Sequence, residues 1–219
     1  MSDHKVIAID GAAGSGKSTL ARNLARTVHL PYVNTGLMYR ALTASAIRNG
    51  VSDDDVEALI DLIHGLTFTL GGSDPRELKV EGFNERELTT PEVERSVSRV
   101  ARHPRIRAWM HEVQRRLGAN GAVMEGRDIG SVVFPDAVVK LYLAAPRGAR
   151  VDRRTRERLR EGPDEIAAEL EARDDLDART NPPTPPTGAI VIDTGSLDSD
   201  ATLRTAISLI LEHAPELVP

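Results

Sequence analysis

The stretch GAAGSGKS, residues 11–18, sets three glycines ahead of a lysine and a serine hydroxyl, one residue behind the apolar run VIAI. Gly11, Gly16, Lys17 and Ser18 fit G-x-x-x-x-G-K-[ST] without a mismatch, and Gly14 falls inside it. Glycines at such places let successive backbone amides curl around an anion, and a helix that follows adds the positive end of its dipole. Lys17 would then reach the outer phosphates of a nucleoside triphosphate, while the Ser18 hydroxyl helps hold Mg2+. Ala12, Ala13, Ser15 and Thr19 complete the loop expected to wrap ATP. The pattern names a phosphoryl donor and leaves the acceptor open.

Two other segments bear on the acceptor. In NTGLMYR (34–40), Thr35 and Gly36 fall at an expected strand-to-helix junction, where a hydroxyl and free amides can bind an anion. Arg40 follows about one and a half turns later. Taken singly, Thr35 reads better as a helix cap and Arg40 as a surface charge. EGRDIGSVVFPDA (125–137) places Arg127 and Asp128 just past the apolar AVM, at the carboxyl end of an expected strand. Open α/β sheets bind ligands at those ends. An arginine there can clamp a phosphate and an aspartate can accept from an exocyclic amine; a buried structural Arg–Asp pair is the competing reading. No guanine-reading N-K-x-D occurs. A motor or transport ATPase stays open through AIVID (189–193), whose Asp193 could hold Mg2+, although no further hydrolysis machinery is identifiable.

The elements that must position these groups follow from pattern and punctuation. KVIAI (5–9) reads as a buried parallel strand, and Leu20, Leu24 and Val28 mark one face of a helix from Lys17 to His29. LPYVN (30–34) completes a βαβ unit, and a helix from about Leu37 to Arg48 stops at Asn49-Gly50. LTFTL, ELKVEG and ERELTT are short alternating stretches that suggest a small antiparallel insert. Thr90 and Pro91 open one helix as cap and first residue, and a second covers 103–117. GAVMEGRD and AVVKLYLAA return to strand texture. The chain is charged and helical from Arg147 to Arg179, up to the four prolines of TNPPTPPTG (180–188). A last strand, AIVID, and a helix over 199–213 close it.

A chain of 219 residues suits one domain with insertions. Its 28 Lys+Arg against 33 Asp+Glu, a formal charge of −5, argues against a general nucleic-acid or anionic-membrane binder. Only four of the 28 basic residues are Lys, leaving 24 Arg, the side chain that grips phosphate bidentately. Absence of Cys excludes disulfides, zinc–thiolate sites and thiol nucleophiles. The start MSDHKVIAID lacks signal-peptide character, and no run approaches the ~18 apolar residues of a membrane span. The expectation is a soluble, cytoplasmic monomer without nucleic-acid or membrane partners.

Together the phosphate loop, NTGLMYR, TPEVERSVSRVARHPRIR, EGRDIGSVVFPDA and ARDDLDAR resemble the bacterial cytidylate kinase family, over nearly the whole chain. The middle insert is the most specific sign, since adenylate and shikimate kinases lack that combination. The resemblance implies an α/β fold: a P-loop NTPase-type parallel sheet flanked by helices, with a monophosphate-binding insert and a short helical lid. The expected core is 1–34, 121–146 and 187–219, the insert 35–120 and the Arg-rich lid 147–186. It implies ATP-dependent phosphorylation of CMP and dCMP with Mg2+, against the alternatives of another small acceptor or an ATPase or switch. Ser98, Arg105 and Asp128 would read cytosine; Thr35, Arg40 and Arg127 would bind the monophosphate; Arg173 and Asp177, at i, i+4, would hold the sugar. Of the lid arginines Arg147, Arg150, Arg153, Arg154, Arg156, Arg158 and Arg160, Arg154 is assigned to the transferring phosphoryl group, alongside Lys17 and Arg127. One departure stands out: Thr180 occupies the place of a further family arginine, and Arg179 lies one residue early. Pro182 predicts that the helix frays near Ala178, freeing Arg179 to reach the CMP phosphate.

Overall fold

Val6–Gly11 forms β1, buried along its whole length; its apolar VIAI is what a strand covered on both faces requires, and Asp10 is the one charged residue in it. The computed structural model describes residues 5–157, 162–181 and 183–218; Arg158, Arg160 and Pro182 lie outside the described residues. Behind β1 come helix α1 (Lys17–Thr27), strand β2 (Tyr32–Asn34), helix α2 (Thr35–Arg48) and helix α3 (Val56–His64). A hairpin of β3 (Phe68–Gly71) and β4 (Glu77–Val80) leads to α4 (Glu85–Leu88), α5 (Pro91–Ala101) and α6 (Pro104–Gly118). Then follow β5 (Ala122–Gly126), a π-helical turn (Ile129–Val133), β6 (Val139–Ala144), α7 (Arg147–Glu157), α8 (Pro163–Thr180), β7 (Ile190–Asp193) and α9 (Ser199–His213).

The seven strands make one sheet in the order β3-β4-β2-β5-β1-β6-β7. All neighbours are parallel except the β3–β4 pair at one edge. β5 therefore lies between the strands of the first βαβ unit, and the chain leaves β1 in both directions across the sheet. Alternation along β1 feeds two cores. Val6 and Ala8 join Met38, Leu42, Ile63 and Met110 beneath α2, α3 and α6. Ile7 and Ile9 join Leu20, Leu24, Leu141 and Ile210 beneath α1 and α9.

The middle of the chain departs from the expected insert in two ways. Its hairpin is no separate sheet, because β4 docks beside β2 through Tyr32 and Glu77. ERELTT is no strand: Asn84 and Glu87 close a capping box that starts α4. α3 has no counterpart in the periodicity reading, although Asp55 caps it by accepting from the Ala58 amide at 3.1 Å. The Thr90 cap and Pro91 start of α5 are as expected. The expected fraying at Ala178 does not occur: α8 runs on to Thr180, carrying Arg179 on its exposed side.

Candidate active site

Three carboxyl ends of the sheet meet the candidate residues. β1 runs into the glycine loop, β2 into α2, and β5 into Arg127 and Asp128. The loop needs its glycines: a Cβ on Gly11 would sit 2.5 Å from the Leu143 carbonyl oxygen, and Gly16, at φ +95°, enters α1 from the left-handed region. Lys17 is buried, and its Nζ donates to the Ala12 carbonyl at 2.7 Å. Burial, with Arg127 nearby, holds its pKa well below the ordinary ammonium value. Ser18 Oγ donates to Glu125 Oε2 at 3.0 Å, and the buried Tyr32 hydroxyl donates to Glu125 Oε1 at 2.6 Å. Glu125, at the end of the neighbouring strand, was missed by sequence reading. Asp193, the acid that kept an ATPase reading open, is exposed on edge strand β7 and accepts the Gly195 amide at 2.8 Å.

Two cavities open on this loop. One, of about 380 Å3, runs from Gly14–Thr19 to Arg153, Thr194 and Asp198. Thr194 Oγ1 donates to the Ser15 carbonyl at 2.9 Å, and Arg153 reaches both Thr194 Oγ1, at 3.2 Å, and the Gly14 carbonyl, at 3.4 Å. The other, of about 540 Å3, is bounded by Thr35, Arg40, Ser98, Arg127, Asp128, Arg173 and Asp177. Gly14, Lys17, Ser18, Arg154 and Glu157 line both.

The larger cavity is ordered by two carboxylates. Glu94, on α5, takes Arg40 Nε at 2.6 Å, Arg173 Nη1 at 2.6 Å and Arg154 Nη2 at 3.4 Å. Burial would raise its pKa, but Arg40, Arg173 and Arg154 outweigh burial and hold it well below the carboxylate range. Sequence reading passed over Glu94, though it stands one turn before Ser98 on the same helix face. Asp177 accepts from Arg127 Nε at 2.9 Å and from Ser98 Oγ at 3.0 Å, while Arg173, one turn before it, bonds Glu94. Burial raises the Asp177 pKa less than Arg127 and Arg173 lower it, leaving it below its ordinary value. Arg127 also donates through Nη1 to the Gly11 carbonyl at 2.6 Å, tying this cavity to the phosphate loop. The Thr35 hydroxyl donates to the Glu125 carbonyl at 2.7 Å.

Asp128 lies on the wall of this cavity and is buried. Its partner is Arg107, not Arg105. Residues two apart on a helix point about 200° from each other, so Arg105 faces outward, 58% exposed, onto Glu57, while Arg107 turns inward to Asp128 and Asn181. His111, one turn beyond Arg107, adds its Nε2 at 2.9 Å from Asp128 Oδ2. The turn that follows is held from both sides. Asp10 accepts the amides of Ile129 and Gly130 at 2.9 and 2.7 Å, and Arg115 donates to the carbonyls of Val133 and Val132 at 3.1 and 3.0 Å. At the far end of α8, Thr180 and Asn181 line the cavity, whereas the helix register turns Arg179 outward. Of the described arginines between 147 and 157, Arg154 alone pairs with Glu94; Arg150 bonds the Ala13 carbonyl at 3.2 Å and Asp174 at 2.7 Å, and Arg147 pairs with Glu171 at 2.6 Å.

No helix among the described residues is long and apolar enough to cross a membrane. The sequence model of the family described as cytidylate kinase matches residues 7–213. A cytidylate kinase of Desulforamulus reducens is 37% identical over 218 residues, covering 96% of this chain and 98% of that protein. Cytidylate kinases of Acidiphilium cryptum and Thermus thermophilus are each 40% identical, covering 94% and 95% of this chain and 94% and 97% of theirs. Similarity that runs through both cavities and the elements between them settles the family: the chain belongs to the cytidylate kinases.

Proposed function

We propose that the chain transfers the γ-phosphoryl group of ATP to a 5′-phosphate oxygen of CMP or dCMP, releasing ADP and the pyrimidine diphosphate. The observation that carries this reading is the meeting of two cavities at Lys17, Ser18 and Arg154. A donor phosphate held in one faces an acceptor held in the other, with no room needed for a covalent enzyme intermediate.

The amides of Gly11–Thr19 bind the triphosphate, and Lys17 exchanges the Ala12 carbonyl for the outer phosphates. Ser18 and Glu125 offer a hydroxyl and a carboxylate 3.0 Å apart beside the loop, an oxygen set suited to Mg2+, which takes one or two protein oxygens and completes its shell with phosphate and water. A Mg2+ held by Ser18 and Glu125 would supply charge neutralisation at the outer phosphates. The acceptor oxygen is already anionic, so attack needs alignment and charge neutralisation more than a base. Arg40, Arg173, Arg154 and Arg127 supply that charge, with Thr35 beside them. Asp128 accepts the N4 amine of cytosine, Arg107 takes the role assigned above to Arg105 at the ring acceptors, and Ser98 and Asp177 lie by the sugar. Asp177 reads a 3′-hydroxyl that CMP and dCMP share. Closure of the insert (35–120) and lid (147–186) on the core keeps water from the γ-phosphate.

The test is ADP release measured with CMP, dCMP, UMP, AMP and GMP. CMP and dCMP should be phosphorylated in strong preference, with little ATP consumed when no acceptor is present; acceptor-independent hydrolysis as fast as transfer would restore the ATPase reading. Asp128→Asn should raise the KM for CMP about tenfold or more, since a mismatched buried polar contact costs roughly 1–3 kcal/mol, and leave the KM for ATP unchanged. Equal losses for both substrates would return Asp128 to a structural role.

A further inference from the structure

The π-helical turn after β5 is pinned from β1 and α6, and α6 also carries a buried side chain on Asp128 that has no role in the reaction just described. α6 presents Arg107, His111 and Gln114 at i, i+4 and i+7, a polar stripe on a helix whose Ile106, Met110 and Val113 belong to the core. His111 is buried, and Arg107 but not His111 lines the acceptor cavity. A buried imidazole needs a partner, and here the partner is Asp128, 2.9 Å from Nε2. A carboxylate can only accept, so Nε2 carries the proton it donates.

The geometry of Asp128 is one-sided. Arg107 and His111 both bond Oδ2, and every side-chain bond to Asp128 among the described residues ends on that oxygen. Two donors on one oxygen oppose rotation of the carboxylate about its last torsion, which is otherwise a broad two-fold well. Oδ1 remains for the ligand. With the backbone turn fixed by Asp10 and Arg115, the position of that single acceptor is set by Arg107, which also lines the cavity, and by His111, which does not.

We propose that His111 is a positioning residue for base selection: its bond to Oδ2 leaves Oδ1 of Asp128 as a lone acceptor facing the base, which takes the exocyclic amine of cytosine and opposes the carbonyl of uracil. This rests on the acceptor reading above. A site that presents only an acceptor rejects an analogue whose donor is replaced by a second acceptor, because both oxygens would be buried without a proton between them. Without His111 the carboxyl keeps one donor and turns more freely, so Oδ1 is no longer held in one place as the acceptor that tells an amine from a carbonyl. The consequence of losing His111 is therefore a loss of discrimination, beyond any loss of rate.

The experiment compares His111→Leu, His111→Asn and His111→Gln with the parent chain for CMP, UMP and ATP kinetics. Leu has no donor and Asn is too short to reach Oδ2; Gln can place an amide nitrogen near the Nε2 position. His111→Leu should raise the KM for CMP about tenfold with kcat changed less than about threefold, raise the UMP-to-CMP ratio of kcat/KM at least about fivefold, and leave the KM for ATP unchanged. His111→Asn should do the same and carries the test if the leucine variant does not fold, while His111→Gln should return most of the selectivity. An unchanged UMP-to-CMP ratio in a folded leucine or asparagine variant, or a glutamine variant no more selective than they are, overturns the proposal. A parent chain that phosphorylates UMP as well as CMP overturns the acceptor reading instead, so the two failures are told apart by the parent alone.

Discussion

Lys17 makes a bond to its own loop that the proposed reaction requires it to give up. Its buried ammonium sits on the Ala12 carbonyl at 2.7 Å, and burial makes its charge costly until phosphate arrives. Lys17→Ala should lower turnover at least about a hundredfold, with the far-ultraviolet spectrum and unfolding midpoint showing an intact fold; near-normal turnover would refute the donor assignment. Asp10 is the opposite case, an acid that serves structure. It accepts two amides of the turn behind Asp128, yet burial, against the pull of those same amides, pushes its pKa from 3.8 up to about 6. Between those values the folded chain keeps a proton that the unfolded chain has lost, so stability is fully present below 3.8 and falls as pH rises through about 6. The loss is about 3 kcal/mol. Asp10→Asn cannot titrate, and unfolding midpoints followed across that window should lack this slope, as a difference from the parent chain measured in the same buffers.

At the scale of elements, helix register decides which side chains reach the acceptor cavity, and register is what one-dimensional reading handles least well. The phosphate loop was legible in full because its chemistry is local: amides, Lys17 and Ser18 are contiguous and the strand and helix around them have clear periods. Thr35, Arg127 and Asp128 were legible for a related reason, as all three follow strand ends. On α6 the choice between Arg105 and Arg107 turns on about 200° of rotation, and both are arginines in an arginine-rich stretch. The signal available was His111 at i+4 from Arg107, which marks an inward polar stripe. On α8 the prolines suggested an early end, but the helix persists through Thr180 and takes Arg179 with it. Arg179→Ala should therefore change kcat/KM for CMP by less than about twofold, as exposed substitutions do. Thr180→Arg, at a position that lines the cavity, should lower the KM for CMP severalfold. Kinetics of the pair decide between them: a tenfold loss in Arg179→Ala would mean that the helix unwinds when substrate binds.

Across the whole molecule, Glu94 is a contact that joins elements far apart in the chain. It stands on α5 and holds Arg40 of α2, Arg154 of α7 and Arg173 of α8. Nothing in the local sequence singled it out, because an acid in a helix with Glu92 and Arg95 beside it has the look of a solvated face; its value arises only when three distant segments fold onto it. A carboxylate among these arginines occupies the role a phosphate would take, and the cavity they line is the one expected to receive a phosphate. Glu94→Ala would leave the arginines buried against one another without their shared acid. Removing one partner of a buried ion pair costs roughly 3–5 kcal/mol, enough to lower the melting temperature of a chain this size by about 10 °C. The CMP phosphate can replace the missing charge, so bound CMP should stabilise Glu94→Ala by several degrees more than it stabilises the parent chain. Thermal melts with and without saturating CMP give both quantities. If CMP raises the two melting temperatures equally, Glu94 and the acceptor phosphate do not share these arginines, and the carboxylate is a structural tie alone.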